Sequence, residues 1–176
     1  MSNFLKKLVK MCRKKKREYK KYKINNKYKV TELAKYIVQE STKNELWMSN
    51  TQLNYFLFIL QCYYISDKHE TLFDNDFIVK PYGIIIPDAF NYFIGFGSME
   101  LFYIYPDYDY LEYFSKEDLE YISDLFRQEY HNITFHGIYT IVKQYKEIFG
   151  DKDKLPNKDL IDIIKNKENW REEGIF

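Results

Sequence analysis

The chain has 176 residues, 45% hydrophobic, 30% charged and 19% aromatic, with 6 Gly and 4 Pro. That is enough apolar material for one packed domain, and it excludes both a disordered chain and Pro/Gly-rich low complexity. The net charge of +1 hides a split: residues 1–29 carry 13 Lys/Arg against the single acid Glu18, and residues 30–176 carry 14 Lys/Arg against 25 Asp/Glu. A basic arm over residues 1–29 (net +12) on an acidic globular domain over residues 30–176 (net −11) is therefore predicted.

Along the chain, Phe4, Leu5, Leu8, Val9 and Cys12 sit at helical spacing with Lys6, Lys7, Lys10 and Arg13 between them, which predicts a basic amphipathic helix. The cationic run Arg13, Lys14, Lys15, Lys16 and Arg17 follows, then Lys20, Lys21 and Lys23, before Asn25-Asn26 breaks the pattern. Val30, Leu33, Ala34, Ile37 and Val38 predict a helix of about three turns. Ser49 and Gln52 form a capping box with Met48 and Leu53 as its staple. The helix they open is apolar nearly all round and belongs at the centre of the domain.

Phe77–Val79 and Ile84–Ile86 flank Lys80-Pro81-Tyr82-Gly83 and predict two short strands around a turn. Pro87 suits the first turn of a helix through Phe93, with Gly95 as its stop. Leu101–Tyr105 reads as strand and Pro106–Tyr110 as loop. Ser115 and Asp118 resemble a second capping pair, opening a helix with Leu119, Ile122, Leu125 and Phe126 inward. Ile138, Ile141, Val142, Tyr145 and Ile148 give another helix, ended by Gly150, and a last one follows Pro156 with Leu160, Ile163 and Ile164 and leads to Trp170. The expected fold is mainly α: six or seven helices around a central apolar helix, with a small β element.

Few residues suggest chemistry. Cys12 and Cys62 offer neither a disulfide framework nor metal spacing, and a reducing compartment is expected. His131 and His136 are five apart, off the i, i+4 face a helical metal site uses. Gly95-Phe96-Gly97 is a turn rather than a phosphate loop, and Asp74/Asp76 and Asp107/Asp109 read as solvated or capping carboxylates. No enzyme, metal or cofactor is expected. The longest apolar run, Tyr55–Tyr64, is broken by Gln61 and falls far short of a span of about 20 residues. With no secretory h-region either, a cytoplasmic protein without a membrane span is predicted.

Two features suggest binding. The cations of the arm, Arg13, Lys14, Lys15, Lys16, Arg17, Lys20 and Lys21, interleave with Tyr19, Tyr22 and Tyr28. They suit phosphates and stacked bases of a nucleic acid, a membrane surface, or packing of the arm on its own acidic body. The aromatic belt Phe90, Tyr92, Phe93, Phe96, Phe102, Tyr103 and Tyr105 is expected to be mostly core. The 18 tyrosines exceed what such a core holds, and exposed tyrosines beside acids suit a protein-binding surface.

Four segments in order carry a family resemblance: the helix Val30–Val38; Ser49–Tyr64; Leu72–Phe77 leading into Lys80-Pro81-Tyr82-Gly83 and on to Pro87-Asp88-Ala89-Phe90; and Leu160 through Glu168-Asn169-Trp170-Arg171-Glu172. Together, over residues 30–173, they resemble the Panacea domain family of phage-associated antitoxins. The third segment is the most specific; Ile84 stands where the family has a Pro after Tyr-Gly, and Asn169 where it has the Pro before Trp. The resemblance implies a mainly helical, non-enzymatic protein that neutralises a partner toxin by direct contact, with Lys80, Tyr82, Gly83, Asp88, Tyr92 and Trp170 as partner-binding residues. The alternative is a phage or mobile-element inhibitor that uses the basic arm against a nucleic-acid-handling host defence complex.

Overall fold

A computed structural model describes residues 22–102, 109–149 and 153–172, with side chains except at 135, 141, 144, 145, 147–149 and 166–172. Among the described residues the fold is mostly helical, with six α-helices and a small antiparallel sheet of three strands. The helices are α1 (Val30–Lys43), α2 (Asn50–Lys68), α3 (Pro87–Tyr92), α4 (Lys116–Glu129), α5 (Phe135–Phe149) and α6 (Asn157–Glu172). The strands are β1 (Phe77–Lys80), β2 (Gly83–Ile85) and β3 (Lys154–Leu155).

The expected capping box opens α2: the Gln52 N–H donates to Ser49 Oγ at 3.4 Å and the Ser49 N–H to Gln52 Oε1 at 2.9 Å. Met48 and Leu53, the staple pair, are both buried. Every side chain from Leu53 to Ser66 is buried, because α1, α3, α4, α5, α6 and β2 all pack against α2. Such a helix needs partners for its polar residues. Gln61, wholly buried, donates to the Phe73 carbonyl (2.9 Å) and to Asn157 Oδ1 (2.8 Å), and accepts from the Leu72 N–H (3.0 Å).

The sheet order is β2–β1–β3, with Val79 opposite Ile84 and Lys80 opposite Gly83. The third strand is absent from the sequence reading; it pairs Leu155 with Phe77. Gly83 is buried in β2, where a β-carbon would come within 3.2 Å of Thr51 Cγ2 and 3.5 Å of Ile138 Cγ2. The glycine thus lets β2 approach α2 and α5 closely.

Residues 22–29 form a strap over the body. The Lys23 N–H donates to the His69 carbonyl, the Thr71 N–H to the Lys23 carbonyl, and the Tyr28 N–H to the Leu72 carbonyl, at 3.0–3.1 Å. The ring of Tyr22 lies against His69, with the Lys165 ammonium 4.9 Å from its centroid. At the other end Lys27 Nζ meets Asp118 Oδ2 at 2.7 Å, and Tyr28 donates to the same carboxylate. The capping pair at α4 is accordingly shared. Ser115 Oγ accepts from the Asp118 N–H (3.2 Å), but the Ser115 N–H donates to the Tyr28 hydroxyl (3.2 Å) rather than to Asp118.

Candidate functional site

Two buried asparagines on α2 set the position of α3. Asn54 Oδ1 accepts from the Ile86 N–H at 2.9 Å, and Asn50 Nδ2 donates to the Phe90 carbonyl at 2.8 Å. Asn54 Nδ2 donates in turn to Asn50 Oδ1 at 3.0 Å, so the two amides orient one another. Pro87 occupies the first turn of α3, where its missing N–H costs nothing. Beyond Tyr92 the chain tightens into a 3-10 turn, Ile94–Phe96, that stops at Gly97 with φ +58° rather than at Gly95. Glycine adopts that backbone without strain.

The chain then returns beside α2. Glu100 bridges Ser49 in antiparallel fashion, and the Leu101 N–H donates to the Met48 carbonyl at 2.8 Å. Leu101 and Glu100 are therefore extended, although the strand expected from residue 101 does not form at 101–102. Side chains alternate along extended backbone. With Met48 and Leu101 buried, Trp47 and Phe102 face outward.

The result is an exposed apolar ridge. Trp47, Tyr92, Ile94, Met99 and Phe102 are each 42–63% exposed. Ring contacts join Tyr92 to Phe93 (4.9 Å), Phe93 to Phe96 (6.2 Å) and Phe96 to Phe102 (5.2 Å). The backbone at Trp47 is tied to the turn after α4, where the Tyr130 hydroxyl donates to the Trp47 carbonyl at 2.7 Å. Burial and the Glu100 carboxylate raise the Tyr130 phenol above its ordinary range. Of the belt expected in the core, only Phe93 is buried among the described members; Phe90 and Phe96 are half-buried, and Tyr92 and Phe102 are exposed. Size and apolarity suggest burial, but two glycine-bearing turns keep this segment on the surface.

Around the ridge lie several of the residues picked from the sequence. Tyr92 carries the Lys35 ammonium 4.9 Å above its ring, a cation–π contact. Asp88 is exposed and accepts from Asn75 Nδ2 at 2.8 Å. Asp88 and Tyr92 line a groove of about 620 Å³ with Asn26, Lys29, Thr31 and Asn75. Tyr82 is exposed at the β1–β2 turn, 6.3 Å from the Phe90 ring. Lys80 is half-buried at the end of β1, and Gly83 is buried and offers no surface. Trp170 falls in α6, where its side chain lies outside the described residues, as do Arg13, Lys14, Lys15, Lys16, Arg17, Lys20 and Lys21. Trp47, Ile94 and Met99 are surface residues that the sequence reading missed: Trp47 and Ile94 sit in short apolar runs whose neighbours Met48 and Phe93 are buried, and Met99 stands alone between Ser98 and Glu100, so no periodicity marks them.

Among the described residues no group of His, Cys, Asp and Glu is arranged to hold a metal ion, and no helix is long and apolar enough to cross a membrane. Asp76, one of the paired loop acids, is bound to Lys154 at 2.7 Å, and Asp109 accepts from the Leu111 N–H as a cap.

The Asn54 amide offers a direct probe of how the ridge is supported. Replacing Asn54 with Leu orphans the buried Ile86 N–H and leaves Asn50 Oδ1 without its donor, at an expected cost of about 1–3 kcal/mol for each. Faster amide exchange at Ile86 and Phe90, ahead of the rest of the fold, is the expected signature; uniform loss of protection would show that the amide does not act locally on α3.

No family model, curated protein or solved structure matches this chain.

Proposed function

We propose that this chain is a non-enzymatic, cytoplasmic binding protein that neutralises a partner protein by direct contact, in the manner of an antitoxin. In this reading α2 is the central helix, and its asparagines hold the docking face in place. The single observation behind it is the ridge of Trp47, Tyr92, Ile94, Met99 and Phe102. Large apolar side chains left exposed on neighbouring turns are typical of protein-binding sites, and Trp and Tyr are among the side chains that most often anchor them. The resemblance to the Panacea domain family points the same way.

The test is co-expression with the product of the neighbouring open reading frame. Growth should be restored by the wild-type chain and not by Ile94→Asp/Met99→Asp. Both positions are exposed, so the double variant should keep its stability to within about 0.5 kcal/mol per site. Equal rescue by both, or a neighbour that neither harms growth nor binds, removes this reading.

The charge of the arm favours a second reading, an inhibitor of a nucleic-acid-handling defence complex. Deleting the arm separates the two, because it abolishes activity only under the second. The deletion has to stop at residue 21, since residues 22–29 are bonded into the body.

A further inference from the structure

We propose that, with no partner bound, the apolar stripe Phe4–Cys12 of the chain's own N-terminal segment docks on the Tyr92–Ile94–Met99–Phe102 ridge. This rests on the ridge being a docking surface and adds what covers it in the free protein. Three observations commit it to that occupant. The stripe Phe4, Leu5, Leu8, Val9 and Cys12 is an apolar face of the same kind, and Lys6, Lys7 and Lys10 alternate with it. The ridge is flanked by Asp88 and Glu100, neither of which enters an ion pair among the described residues, so the charges are complementary.

The reach also suffices. The described chain starts at Tyr22, and Asn26, four residues on, already lines the groove shared with Asp88 and Tyr92. Four residues span at most about 14 Å, and the link from residue 13 to 21 about 30 Å. A tether of that length gives an effective concentration of order 1 mM. Against that concentration, tenfold protection corresponds to an intrinsic dissociation constant of about 0.1 mM, with roughly a tenth of the molecules open.

Cys12 reports on this directly, because it belongs to the stripe while Cys62 is buried and serves as the internal control. In the full chain under native conditions, Cys12 should be alkylated about tenfold more slowly than in a peptide of residues 1–21. Ile94→Asp/Met99→Asp should restore the peptide's rate while Cys62 stays protected, which shows that the variant is folded. Reaction of Cys12 in the wild-type chain at the peptide's rate overturns the proposal. So does protection that survives the double variant, since the stripe then sits elsewhere, and so does protection that appears only as protein concentration rises, since the occupant is then a second copy. In the wild-type chain, an unprotected Cys12 with growth rescue intact removes the arm's seat alone, and a protected Cys12 without rescue removes the partner reading alone; in the double variant, lost protection with rescue intact likewise removes the partner reading alone.

Discussion

Replacing Gln61 with Met is expected to cost about 2–6 kcal/mol, although methionine matches glutamine in length and is the more apolar side chain. Gln61 occupies the middle of α2 with no exposed surface. Its amide accepts from the Leu72 N–H and donates to the Phe73 carbonyl and to Asn157 Oδ1. It is the clasp that joins α2, the segment after it and the start of α6. Methionine leaves the Leu72 N–H without its acceptor and Asn157 Oδ1 without this donor, at about 1–3 kcal/mol for each buried group. The Phe73 carbonyl keeps Asn157 Nδ2 at 3.0 Å, so it is not counted. In a protein of this size each kcal/mol is worth roughly 2–4 °C, and the thermal midpoint should fall by about 10 °C.

Gln61→Glu separates polarity from shape. It keeps the acceptor for Leu72 but sets a carboxylate oxygen against two other oxygens, so it should be at least as damaging as Met. Gln61→Met combined with Asn157→Leu should lose less than the sum of the two single variants, because partners that are removed together leave fewer orphans. A Gln61→Met protein within about 1 kcal/mol of wild type would mean that water satisfies these groups and that the clasp carries little energy.

These polar clasps are what the sequence conceals. A helix period reports which face is apolar, and it located α1, α2, α4 and α6 because Val30–Val38, Leu53–Tyr64, Ile122–Phe126 and Leu160–Ile164 repeat at helical spacing. Local capping chemistry was equally readable at Ser49–Gln52, since both partners lie within four residues. Gln61, Asn54 and Asn50 show no such signal. A polar residue in an apolar helix looks the same whether it meets water or a backbone carbonyl from 12 or 40 residues away. Strand β3 has two residues, too few to show alternation, and pairs with a strand 76 to 78 positions earlier. Gly83 was legible as a turn residue; its burial depends on Thr51 and Ile138, which no local pattern brings together. The surface ridge is the converse case. Its aromatic residues look like core until the turns at Ile94–Gly97 and the register at Ser49–Glu100 turn them outward.

Lys27→Met should be almost as costly as Gln61→Met, and it should also move the acid limit of stability. Asp118 has a side chain only 3% exposed and accepts from Lys27 (2.7 Å), Ser115 (2.9 Å), Tyr64 (3.0 Å) and Tyr28. Burial pushes its carboxyl upward. The Lys27 ammonium and the three hydroxyl donors outweigh that and hold it below the ordinary carboxylate range. Lys27 shows the mirror balance: burial lowers it, but Asp118 and Tyr64 raise it above the usual lysine value. A carboxyl depressed in the folded state stabilises above its unfolded value near pH 4, and that contribution is lost as pH falls through the lower folded value. A raised lysine stabilises fully below about pH 10 and is lost as pH climbs through its folded value. The pair therefore contributes across the whole neutral range.

Removing the cation leaves a buried carboxylate with hydroxyl donors alone, a loss of about 3 kcal/mol, the low end for a broken buried pair because Lys27 itself is partly exposed. With its strongest stabiliser gone, Asp118 should protonate at higher pH, and acid unfolding should begin earlier than in the wild type. Lys27→Met/Asp118→Leu should recover part of the loss, since no unpaired charge remains. The strap makes the same point on a larger scale. A chain starting at residue 22 keeps Lys27 and Tyr28 on Asp118 and should melt near the full chain, whereas one starting at residue 30 strips both and should melt well below it. Equal midpoints for the two truncations, with an unmoved acid limb in Lys27→Met, would show that the strap rests on the body without stabilising it.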